Sequence, residues 1–147
     1  MPEKETLERA AEDKAEGKSP STQAGEFVRE EIEHIREGKH GARSAKQAIA
    51  IGLSKARRAG VKLAGPKKGK ASAETRKQAA RDLRKGESPG KKKSAKRSRA
   101  MLKKLKVEGH SAASKTALSR QARSAAAKRS AAARSRSAKK AARTRKK

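Results

Sequence analysis

Cysteine, tryptophan and tyrosine are missing from the 147 residues, and phenylalanine occurs once. Without cysteine there are no disulfides, thiolate metal sites or thiol nucleophiles. Without aromatics there is no platform on which unpaired bases can stack. Long hydrophobic runs are missing too. The longest, Ala48–Leu53, is interrupted by a glycine and falls far short of the roughly 18 apolar residues of a membrane span. Leu, Ile, Val and Phe contribute 15 residues, so alanine supplies most of the 32% hydrophobic fraction. That is about 10% of the chain, under the ~20% below which a highly charged sequence is expected to stay disordered. So few large side chains cannot wall a deep catalytic pocket.

What the chain has is positive charge. Lys and Arg number 43 against 15 Asp and Glu, a net of +28. The charge is unevenly spread: residues 1–37 carry a net of −5, and residues 38–147 a net of +33. From Ser88 onward there are 22 bases and one acid, Glu108. A basic segment of that length repels itself and seeks a polyanion. The acidic start has no apolar signal region, so the expected compartment is a reducing bacterial cytoplasm. It reads either as a solvated leader or as a segment that folds back on the basic body.

Helical periodicity is clearest over residues 22–60. Phe27, Val28, Ile32 and Ile35 recur on one stripe that ends at Gly38. Ser44 followed by Gln47 fits a capping box for a second helix, which ends at Gly60. Its inner face carries Ala45, Ala48, Ile49, Gly52, Leu53 and Ala56. The predicted architecture is mostly α with extensive disorder: a short αα-hairpin followed by a basic tail rich in Ala, Lys, Arg and Ser. Its divisions are an acidic flexible leader (1–21), the hairpin (22–63), a linker with a short helix (64–93) and a histone-like tail (94–147). The tail is expected to be coil in water and helical once neutralised. The hairpin core is small, and a homodimer is one way to complete it. The segment His40–Lys46 has a weak echo in His110–Lys115, and Lys46–Ala48 in Lys77–Ala79.

Catalytic patterns are absent: no phosphate loop, nucleophile elbow or paired buried carboxylates. His34, His40 and Glu37 are the nearest approach to a ligand set and read as surface residues, so no metal and no cofactor are expected. Glu30, Glu31, Glu33 and Glu37 read as the solvated face of the first helix of the hairpin, with Arg29–Glu33 as an i,i+4 pair. The basic helix around Met101, Leu102 and Leu105 has too thin an apolar edge for membrane anchoring.

The remaining class is nucleic-acid binding without enzymatic activity or a small-molecule substrate. Lys46, Lys55, Arg57 and Arg58 on the second helix of the hairpin are candidate phosphate contacts. So are Lys91, Lys92, Lys93, Lys96, Arg97, Arg99, Lys103, Lys104, Lys106, Arg120, Arg123, Lys128 and Arg129 in the tail. With no aromatic readers, duplex DNA is the expected partner, and RNA or the ribosome the alternative.

The stretch KQAIAIGLSKARRAG, within residues 39–60, resembles the signature of a small uncharacterised bacterial domain family of short basic proteins. Members are described as DNA-binding, and alanine is usual where this chain has Gly52. The tail is similar in composition to the Lys/Ala-rich tails of linker histones and bacterial histone-like proteins. The resemblance implies a nucleoid-associated, DNA-compacting role. The glycine is expected to loosen its helix.

Overall fold

Serine and alanine decide where most helices begin and why they persist. The Oγ atoms of Ser44, Ser72, Ser94, Ser114 and Ser130 accept the N–H groups of Gln47, Thr75, Arg97, Ala117 and Ala133 at 3.1–3.4 Å. Each bond satisfies a donor that a helix start leaves orphaned. The computed structural model describes residues 1–88 and 94–145. Among them are seven helices: α1 (Lys4–Ala15), α2 (Pro20–Arg36), α3 (Ala45–Arg58), α4 (Ala73–Glu87), α5 (Ala95–Lys106), α6 (Lys115–Ala127) and α7 (Ala131–Arg145). A 3-10 turn, Ser111–Ala113, precedes α6.

The fold is therefore all-helical, and the expected combination of a short αα-hairpin with extensive disorder does not hold. Three physical reasons account for the difference. Alanine has the highest intrinsic helix propensity, so α6 and α7 do not depend on a wide apolar face. Serine caps begin each tail helix. The segment around the 3-10 turn is also held by tertiary packing, with Ala112 and Ala113 buried.

Alanine also builds the core. One cluster joins Ile32 and Ile35 of α2 to Ala42, Ala48, Ala112 and Ala113, with Val28 and Leu118 at its margin. The other joins Phe27 to Ala10, Ala24, Ala56 and Val61, with Leu53 and Leu63 alongside. The predicted stripe on α2 is thus shared between two clusters, and Ile49 is half-buried. Small side chains permit close helix contact, and Gly52 permits it between α3 and α2. A Cβ there would stand 2.7 Å from the Val28 Cα and 3.0 Å from the Phe27 carbonyl oxygen. The glycine expected to loosen α3 instead lets α3 pack on the backbone of α2.

α1 lies against α2 and is tied to it by polar contacts. Arg9 Nε donates to Glu26 at 2.7 Å, and the Glu3 N–H donates to Glu30 at 3.1 Å. The glutamates expected on a solvated face divide accordingly. Glu30 and Glu31 are 2% and 0% exposed, while Glu33 remains outside in its pair with Arg29 at 3.0 Å. α4 docks on α3 through Asp82, which accepts from Ser54 at 2.6 Å and from Arg58 at 2.7 Å.

The third attachment is long-range. The Gly41 N–H donates to the Leu105 carbonyl at 2.9 Å, and the Ala42 N–H to the Gly109 carbonyl at 3.0 Å. Arg36 Nε adds a bond to the Ala113 carbonyl at 3.0 Å. The two echoing segments, 40–46 and 110–115, therefore meet in space. Each supplies buried alanines, and each contains a serine, Ser44 or Ser114, that caps the next helix.

Candidate nucleic-acid interface

The turn that meets the 3-10 segment also opens a cleft of about 380 Å³ between the starts of α3 and α6. Arg43, Ser44 and Lys46 line one wall, and Ser111, Arg120 and Ser124 the other. Among the described residues no acidic side chain lines it. The capping box around Ser44 holds the α3 wall: Gln47 N–H donates to Ser44 Oγ at 3.2 Å, and Gln47 Oε1 accepts from the Arg43 N–H at 3.0 Å. The return bond falls one residue before the cap, so it holds the arginine backbone as well as the helix start. Each helix start presents about half a positive charge. Two of them, beside three cationic side chains, suit a phosphate.

The cations predicted to contact nucleic acid fall into distinct settings. Lys46 and Arg120 face each other across this cleft, while Arg123 is exposed on α6. Lys96, Arg97, Arg99, Lys103, Lys104 and Lys106 are exposed along α5, and Lys128 and Arg129 follow α6. Arg129 also donates to the Ala133 carbonyl at 3.0 Å. Lys91, Lys92 and Lys93 lie outside the described residues.

Three predicted contacts on α3 are engaged within the protein. Lys55 Nζ sits 2.6 Å from Glu31 Oε2 and 3.1 Å from Glu30 Oε1. Burial alone would lower its pKa, but the two carboxylates outweigh burial and raise it. Arg57 donates to the carbonyls of Leu63 at 3.0 Å and Ala64 at 3.2 Å, and its burial depresses its pKa. Arg58 belongs to Asp82.

Sequence reasoning passed over Arg43, and also Arg134, Arg136, Lys139, Lys140 and Arg143 on α7. All are exposed. For Arg43 the usable signal was its place immediately before a capping serine; for α7 it was alanine content combined with a serine start.

Across the molecule the ion pairs are segregated. Every Lys or Arg in an ion pair among the described residues lies at or before Arg58. The acids of α1 and α2 are largely consumed there, and α5, α6 and α7 keep their cations free of carboxylates. No helix among the described residues is long and apolar enough to cross a membrane. No curated protein matches the chain, and no solved structure does. Residues 13–69, from the end of α1 through α2 and α3 into the following linker, match the model of a family of unknown function (DUF6496).

Proposed function

We propose that this chain is a non-enzymatic nucleic-acid-binding protein that grips duplex DNA through its phosphates, with little sequence preference, in a nucleoid-associated role. The observation that carries this reading is the segregation of ion pairs. Every Lys or Arg in an ion pair lies at or before Arg58, and the cations beyond it have no carboxylate partners among the described residues. Free cations on rigid helices meet phosphates with little ordering entropy and release the counterions condensed on DNA. The cleft at Arg43, Lys46 and Arg120 supplies a fixed phosphate seat, and α5 to α7 supply redundant contacts. The family likeness suggested by the KQAIAIGLSKARRAG stretch points the same way.

The test is a salt-titrated competition in which the full-length protein, on labelled duplex DNA, is challenged with unlabelled structured RNA. Six to ten phosphate contacts predict an affinity loss of roughly 10³–10⁵ between about 50 and about 200 mM salt. A steep slope with duplex preference supports the reading. Equal or stronger competition by RNA replaces it with an RNA- or ribosome-associated role, and a flat salt response removes both.

A further inference from the structure

The turn after α2 encloses a group of residues that phosphate binding does not use. Glu31 and His34 are three residues apart on α2 and share a face. The turn then brings His40 over that face. One ligand atom from each of Glu31, His34 and His40 lies within 4.8 Å of the others. The two imidazole rings meet edge to face, with centroids 6.1 Å apart.

The hydrogen bonds around the rings set which nitrogens are free. His40 Nδ1–H donates to the Gly41 carbonyl at 3.1 Å. The neutral ring therefore carries its lone pair on Nε2, which stands 3.3 Å from Glu31 Oε1. His34 Nε2–H donates to Glu3 Oε1 at 2.8 Å, which leaves the lone pair on Nδ1. Carbonyl and carboxylate partners of this kind fix the tautomer and orientation of metal-ligating histidines.

Glu31 is fully buried, yet neither of its carboxylate oxygens makes a hydrogen bond among the described residues. Lys55 approaches Oε2 at 2.6 Å without hydrogen-bond alignment, and Oε1 stands 3.3 Å from His40 Nε2. A buried acceptor without a partner is destabilising. A divalent cation on Oε1 would remove that penalty, and Lys55 would still neutralise Oε2.

We propose that Glu31, His34 and His40 form a binding site for a divalent transition-metal ion of the zinc type. Two imidazoles and one carboxylate are a donor set suited to zinc and cobalt. Tetrahedral bonds of 2.0–2.1 Å place donors about 3.4 Å apart, so the three side chains need to close by roughly an ångström. His34 and the turn residue His40 can supply that movement. The fourth position falls to water or to Glu30, whose Oε1 lies 4.0 Å from His34 Nδ1. The ion would clamp the α2–α3 turn, and with it the wall that carries Arg43 and Lys46.

The experiment uses the full-length protein, stripped with chelator and titrated with Co²⁺ alone. The expected result is an intense tetrahedral visible spectrum that saturates at one ion per chain and is displaced by Zn²⁺. His40→Gln and Glu31→Gln are each expected to weaken binding by about a hundredfold or more, and His110→Gln to leave it unchanged. Because the first two changes alter buried positions, a second reading uses the unmodified chain. The ring nitrogen-15 resonances of His34 and His40 should shift on addition of Zn²⁺, while those of His110 stay in place. A weak, unsaturable cobalt spectrum, or ring shifts at His110 alone, would overturn the proposal.

Discussion

The Gly41 amide donates to the carbonyl of Leu105 at 2.9 Å and thereby joins the loop after α2 to the end of α5. The approach is possible because residue 41 has no side chain. A Cβ there would stand 1.9 Å from the Glu108 carbonyl oxygen. Gly41→Ala should therefore lift residues 105–109 off the turn and destabilise the fold by about 1–3 kcal/mol. The urea midpoint, followed by circular dichroism, reads the effect. An unchanged midpoint would show that this docking contributes nothing.

Gly52→Ala sets two physical terms against each other. Helix propensity alone favours alanine over glycine by about 1 kcal/mol. Packing opposes it, since the new methyl would meet the Val28 Cα, which is backbone and cannot rotate away. Overpacking of this kind typically destabilises by about 1–3 kcal/mol, so the expected net result is a loss. A rise in melting temperature would show that α2 and α3 are less closely packed.

Asp82 links stability to pH. Burial would raise its pKa, but hydrogen bonds from Ser54, Arg58 and Gln78 outweigh burial and hold it below the usual aspartate range. A lowered carboxyl pKa means that folding favours the charged form. Its contribution is complete above about pH 3.8 and is lost as the pH falls through the folded-state value. Asp82→Asn should lower stability by about 1.5–3 kcal/mol at neutral pH and leave a flatter acid limb. Thermal unfolding at about pH 6 and about pH 3 tests both; an acid limb as steep as that of the parent chain would assign it to other groups.

Neutralising the cleft should change the salt slope without changing the fold. With Arg43, Lys46 and Arg120 all replaced by Gln, the slope of log affinity against log salt should fall by about three units. Circular dichroism should be unaltered, since all three side chains are exposed. A slope equal to that of the parent protein would place the contacts on α5 to α7 alone.

The sequence made some of this fold visible and concealed the rest for identifiable reasons. The α2 and α3 helices were legible because caps and stops are local. Ser44 accepts its N–H as the capping pattern predicts, and Gly38 and Gly60 take positive φ at the helix ends. The buried carboxylates were not legible. A helix that packs α1 on one side and α3 on another buries more than one stripe, and in the sequence Glu30 then looks no different from the half-exposed Glu33. Ala112 and Ala113 were concealed by composition, because alanine in a basic tail has no apolar pattern to mark it as core. In the candidate interface, Lys46 and Arg120 were named from charge alone. Their meeting across one cleft depends on the long-range Gly41–Leu105 attachment, which no local pattern encodes.

The pairing of the 40–42 turn with residues 105–109 has a consequence for cooperativity. Amides whose acceptors lie far along the chain exchange with solvent only when the two segments separate. The N–H groups of Gly41 and Ala42 should therefore report the opening of a segment at the far side of the chain, with the same free energy as the exposure of Ala112 and Ala113. In thermodynamic terms the hairpin and the beginning of the basic region are one unit.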